Sequence, residues 1–201
     1  MLSGVFRIIF WGIISTIVFL IIKKLKIIRK KLNFTLSIIL FTILYLLSCL
    51  FPIENLLVNF KSPEDIFYYT RYGEVKDIVH GKNSCMILYS TGNGAYSHLF
   101  VLKSENGYKI SNNFFGTNIL HTSENFEIYN VIEANDNYVF GITFLEGNKI
   151  DIFDSNGKKI NSITEKIKNT DIHAIVFYDF LENFTSEYFI LVNDKKIFFS
   201  N

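Results

Sequence analysis

The sequence predicts two N-terminal transmembrane α-helices followed by a mainly-β soluble domain that begins with one short helix. Three observations predict this. All nineteen acidic residues lie at or after Glu54, while the first 53 residues carry seven basic side chains and no acid. Six of those cations, Lys23, Lys24, Lys26, Arg29, Lys30 and Lys31, sit between two long apolar runs. From Glu74 onward, short β-prone runs alternate with Asn- and Gly-rich turn signals.

The chain has 201 residues, 49% apolar and 19% charged, with a formal net charge of +1. That average joins two unlike parts. Residues 1–53 read as a membrane hairpin with a surplus of positive charge. Residues 54–201 have globular composition and a surplus of acid, and their length suits one domain with one core. Nucleic-acid binding needs clustered Lys and Arg on a folded face. Here only scattered pairs such as Lys158–Lys159 and Lys195–Lys196 occur, which argues against that partner. The richness in Ile, Asn, Lys and Phe suggests an AT-rich genome.

The first apolar run is Ile8–Ile22. Arg7 precedes it and can snorkel to the interface, which extends the predicted span to about residues 5–22. The second runs from Phe34 to Ile53, 20 residues without a charge. The loop 23–33 between them is fixed on the cytoplasmic side by its cations. The expected arrangement is a multi-pass cell-membrane protein with the N-terminus and C-terminal domain outside. Trp11 and Tyr45 suit the interfacial belt, and the basic loop would lie against anionic headgroups. Gly12 and Thr16 could form a packing face. Neither span contains Asp, Glu or His, so no inward charge pair is expected, which points away from a transporter or proton relay. Leu46-Leu47-Ser48-Cys49 looks like a lipobox, but a lipobox normally follows the first apolar segment. Cys49 therefore reads as a membrane-end cysteine, with lipidation as the alternative.

Ser62-Pro63-Glu64-Asp65 is a helix start: a capping hydroxyl, proline at the first position and acids at the positive end. The predicted helix is 63–72, stopped by a left-handed Gly73. Its Phe67, Tyr68, Tyr69 and Tyr72 are read as packing onto a sheet, with a stacking platform as the alternative. Predicted strands are Val75–Val79, Ser84–Ser90, Tyr96–Lys103, Tyr108–Ile110, Phe126–Glu133, Tyr138–Leu145, Ile150–Asp154, Lys159–Ile163, Ala174–Asp179, Tyr188–Val192 and Lys196–Phe199. Turns such as Glu105-Asn106-Gly107, Asn135-Asp136-Asn137, Glu146-Gly147-Asn148 and Ser155-Asn156-Gly157 separate them. An antiparallel meander, sandwich or barrel is expected, with three-strand meanders over Val75–Lys103 and Tyr138–Ile163 and a helical turn over Glu165–Thr170.

Chemistry-bearing candidates are few. Asp154-Ser155-Asn156-Gly157 resembles part of a calcium loop, but Lys158 and Lys159 stand where further oxygen ligands are needed, so it reads as a hairpin turn. His80, Cys85 and His98 are close in sequence, so a Cys–His pair is conceivable. Catalysis would need an activated thiolate and an orienting group, and Cys85 among Met86, Ile87 and Leu88 reads as core. His80 and His98 with His121 or His173 lack helical ligand spacing. Tyr89, Tyr96, Tyr108, Tyr129, Tyr138 and Tyr178 would line a binding face or, more simply, pack the sheets. No catalytic residue, cofactor or metal is assigned, and the chain reads as a non-enzyme.

The stretches FPIENLLVNFKSPEDIFYY, GKNSCMILYS, SENGYKI and FDSNGKKI resemble a group of uncharacterised two-helix membrane-anchored proteins of Bacillus- and Clostridium-type bacteria. The resemblance implies apolar N-terminal helices and a small β-rich extracytoplasmic domain in a Gram-positive cell, and it implies no activity. The expected role is display of that domain to bind a protein, peptide or envelope component, with the bilayer as the second partner. One alternative is an immunity-type or accessory subunit acting through its hairpin. The other is an envelope enzyme with an unrecognised site.

Overall fold

The computed structural model describes residues 2–25, 30–92, 94–112, 116–122, 126–146, 151–166, 172–182, 184, 189–192 and 195–198. Two long helices, α1 (Leu2–Leu25) and α2 (Lys30–Leu50), pack side by side. Leu2–Lys24 of α1 is 23 residues of helix long and apolar enough to cross a membrane. Among the described residues it is the only such helix, because the apolar part of α2, Phe34–Leu50, has 17 residues. The expected second span of 34–53 is thus shortened at its end. Pro52 disfavours helix in the residue before it and cannot continue the α2 ladder itself, so the chain turns at Phe51. The expected loop of 23–33 is also shorter than the sequence suggests. Lys23 and Lys24 lie in the last turn of α1, where cations complement the negative helix end, and Lys30 and Lys31 open α2. Lys26 and Arg29 lie outside the described residues.

Two short helices follow. α3 (Glu54–Leu57) carries no sequence signature of its own, and α4 is Pro63–Thr70. The Ser62 hydroxyl accepts from the Asp65 amide while Asp65 accepts from the Ser62 amide, a complete capping box with proline in the first turn. The helix ends two residues earlier than predicted, on an extended Arg71. Gly73 is left-handed (φ 127°) but serves another purpose: a β-carbon there would stand 2.4 Å from the Ser90 carbonyl oxygen. The glycine admits close strand pairing, not a helix cap.

Twelve strands follow: β1 (Glu74–His80), β2 (Ser84–Gly92), β3 (Ala95–Ser104), β4 (Gly107–Ile110), β5 (Thr117–Thr122), β6 (Phe126–Val131), β7 (Asp136–Glu146), β8 (Ile152–Asp154), β9 (Asn161–Lys166), β10 (Ile172–Leu181), β11 (Phe189–Val192) and β12 (Lys195–Phe198). They form three antiparallel sheets of order β1-β2-β3-β4, β5-β6-β7-β10-β9 and β12-β11-β8. The first meander is as expected, with β4 added. The expected Tyr138–Ile163 meander does not form. β10 stands between β7 and β9, and β8 pairs with β11 in another sheet. The predicted helical turn begins with Glu165 and Lys166 inside β9, and its remainder lies outside the described residues.

The sheets stack in layers, α4 over the first sheet, then the second, then the third. Alternation explains how. In β2, Met86 and Leu88 face the second sheet while Ile87 and Tyr89 face α4. In β10, Val176 and Tyr178 face the first sheet while Ile175 and Phe177 face the third. Strands covered on both sides read as unbroken apolar runs, and burying each such side chain contributes about 1.5–3 kcal/mol. The segment Ile175–Tyr178 satisfies that demand only at a central position, which is why β10 displaces β9 from β7.

Candidate functional site

The helix pair meets the β-rich domain at a buried ion pair. Arg7 Nε donates to Glu54 Oε1 at 2.7 Å and Nη2 donates to Oε2 at 3.1 Å. The Arg7 side chain is 12% exposed and that of Glu54 0%. Arg7 therefore does not snorkel outward as its position suggested. It forms the inward charge pair that the absence of acids in the spans argued against, because Glu54 folds back from just beyond the second apolar run. The Cys49 sulfur, read as a membrane-end thiol or lipidation site, also interacts with this guanidinium. The next residue, Asn55, binds the opposite way: its amide group accepts from Ile110 N at 2.8 Å and donates to Ile110 O at 2.9 Å. Two consecutive side chains of α3 thus hold α1 on one side and the end of β4 on the other. Tyr69 of α4 packs between Phe6, which it meets edge-on, and a tilted Phe60, and its burial pushes the phenol up to about 12.

Of the three candidate cysteine and histidine residues, the fold joins two. His80 and Cys85 are cross-strand partners, with Nδ1 and Sγ 3.1 Å apart. His98 is elsewhere on β3, its ring against Phe100 of the same strand and Tyr129 and Phe140 of the second sheet. Cys85 is fully buried, and that burial pushes its thiol up to about 11. It is held as a thiol at neutral pH with no path to a substrate. A thiol reagent at pH 8 should leave Cys85 unlabelled in the native chain and label it fully in urea, as read by mass spectrometry. Stoichiometric native labelling within minutes would contradict the packing.

The predicted turn residue Asp136 has a larger role. It is 1% exposed and its Oδ2 accepts from the Asn83 amide, the Ser84 amide and the Ser84 hydroxyl at 2.7–2.8 Å. The Ser84 hydroxyl also meets Tyr138 Oη at 2.9 Å. Lys103 Nζ donates to the Gly81 carbonyl at 2.6 Å, so the β1–β2 turn is clasped from both sheets. Tyr178 donates to Asp77 and Tyr96 to Glu165, both at 2.8 Å, across the same gap. The tyrosines considered as a binding face are mainly core and inter-sheet pins. Asp154 accepts from the Asn156 and Lys158 amides, the hairpin turn predicted there. No three metal-ligating side chains converge among the described residues.

A small polar cleft remains, of about 150 Å³, lined among others by Arg71, His98, Ser111, Asn112, Thr117 and Tyr129. Ser111 is 5% exposed and its hydroxyl has no partner among the described residues. His98 Nδ1 is buried and likewise unpartnered, and desolvation lowers its imidazole to about 4, so the ring is neutral at pH 7. Among the described residues no carboxylate pairs with Arg71. Sequence reasoning weighed His98 and, as a binding-face tyrosine, Tyr129, but not Arg71 or Ser111, which lie 27 and 13 positions from His98 with no local pattern to link them.

Comparison with protein-family models, curated proteins and solved structures gives no match.

Proposed function

We propose that this is a membrane-anchored, non-enzymatic binding protein. In this reading α1 and α2 cross the bilayer as a hairpin, the Lys23–Lys31 segment is cytoplasmic, and the β-rich domain stands on the outer face to bind a protein, peptide or envelope component. The observation that carries it is the double grip of Glu54 and Asn55, which fixes the domain to the helix ends as a rigid mount. Phe51, Leu56 and Leu57 are exposed beside that grip, where a bilayer surface would cover them. The resemblance to membrane-anchored proteins with β-rich extracytoplasmic domains supports the same reading.

A second reading has the helix pair make the functional contact, as an accessory or immunity-type subunit would. It is favoured by a groove of about 340 Å³ between α1 and α2, lined by Gly12, Ser15, Thr16, Ser37 and phenylalanines. A β-carbon at Gly12 would meet nothing within 4 Å, and the buried Ser15 hydroxyl has no partner among the described residues. Small residues of this kind admit a neighbouring helix.

Membrane-impermeant thiol labelling of intact cells tests the first reading, with cysteines placed singly at the exposed Asn156 and at Lys26. Labelling at 156 and protection at 26 is expected, and the reverse pattern would sink it. Exchanging residues 1–53 for an unrelated anchor then separates the readings: partner capture survives if the β-rich domain binds and is lost if the helix pair does.

A further inference from the structure

We propose that the Arg71–His98–Ser111 cleft is a binding site for a single carboxylate group. The site is assembled from three places in the fold: Arg71 at the end of α4, His98 on β3 and Ser111 just after β4. A buried hydroxyl and a buried imidazole nitrogen without partners among the described residues are costly to keep, and here both belong to residues that line the same recess as Arg71, which no described carboxylate pairs. Bound ligand oxygens would satisfy all three groups at once. Arg71 offers its planar fork, which matches a carboxylate in bidentate geometry. Ser111 offers a hydroxyl and His98 an N–H from Nδ1 in the corresponding tautomer.

Charge and size choose the ligand. The cleft supplies one full positive charge, since His98 is neutral, so it balances a monoanion better than a phosphate dianion. At about 150 Å³, room for roughly five waters at ~30 Å³ each, it admits a carboxylate with a short stem and not a whole drug-sized ligand. Among the described residues nothing acidic lines it. Two sources share this chemistry, the C-terminus of a peptide and a free small organic acid. The inference deepens the proposed binding role and rests on it only for the ligand's source.

The test is a titration of the full chain in detergent micelles, following the His98 ring resonances by NMR. Three probes are used: acetate, a tetra-alanine peptide with a free C-terminus, and the same peptide amidated. The expected result is saturable shifts with acetate and the free peptide and none with the amidated one. Arg71→Ala should weaken binding at least about tenfold, as loss of a charge-assisted pair does, and Ser111→Ala severalfold. Unchanged amide exchange in the variants' sheets shows that they remain folded. A free peptide that binds tighter than acetate identifies a peptide terminus, and equal affinity identifies a free acid. No His98 shift with either carboxylate, or equal binding by Arg71→Ala, overturns the proposal. Either result leaves the thiol-labelling outcome untouched, so failure of the site is distinct from failure of the anchoring role.

Discussion

Asp136→Ala should lower the stability of the β-rich domain by about 3–5 kcal/mol, because it strands two backbone amides and a hydroxyl in a dry site. All three of those donors point at one oxygen, Oδ2, within 2.8 Å. The acceptor comes from the second sheet and the donors from the β1–β2 turn of the first, so the loss falls on the contact between sheets. At ~2–4 °C per kcal/mol for a domain of this size the melting temperature should fall by roughly 10 °C. Asp136→Asn keeps the shape and one accepting oxygen, and should cost about 1–2 kcal/mol. Gly81→Ala should match the alanine variant from the other side, since its β-carbon would stand 2.3 Å from Tyr138 Oη and 2.6 Å from Asp136 Oδ2. Circular dichroism melts and urea titrations of the full chain check this. A change under 2 °C for Asp136→Ala would show that Asp136 is not the clamp between the sheets.

Glu54→Ala should uncouple the helix pair from the β-rich domain. It leaves the Arg7 guanidinium, 12% exposed, without its counter-charge, and breaking a buried pair in this way costs about 3–5 kcal/mol. The damage should be local. Amide exchange should quicken in α3 and at the end of α4, where Tyr69 loses its seat against Phe6, while β2 and β10 keep their protection. Arg7→Ala should do the same from the helix side. The double variant should cost less than the sum of the two, because neither charge is then left alone. The charge-reversed pair Arg7→Glu with Glu54→Arg should recover part of the loss. Strictly additive single variants would mean that the pair carries no coupling and that Asn55 alone holds the junction.

Much of this architecture is written in short-range patterns. The apolar runs mark α1 and α2, and the Ser62-to-Asp65 box marks the start of α4 because a cap needs only neighbouring donors and acceptors. Unbroken runs such as Met86–Leu88 and Ile175–Tyr178 announce strands covered on both faces. The Asn-Gly turns delimit strands because positive φ is a local demand. Hydropathy continues to Ile53 while helix geometry stops before Pro52, so α2 is shorter than its apolar run.

Tertiary structure alone decided which strands are neighbours and which polar groups meet. Nothing in the local pattern tells β9 that β10 will take its place beside β7, since pairing is settled by burial on both faces of the incoming strand. Arg7 and Glu54 are 47 residues apart, and Asp136 is 52 from Ser84. A lone charge at a span's edge or in an Asn-rich turn reads as solvated until a partner closes over it. The cleft at Arg71, His98 and Ser111 is of the same kind. Sequence determined the two long helices, the start of α4 and most of the strands with their alternation, because those arise from interactions among near neighbours, whereas α3 and β5 carry no such local signal. The partners of buried charges were left to the packing of distant segments, where desolvation makes each pairing matter.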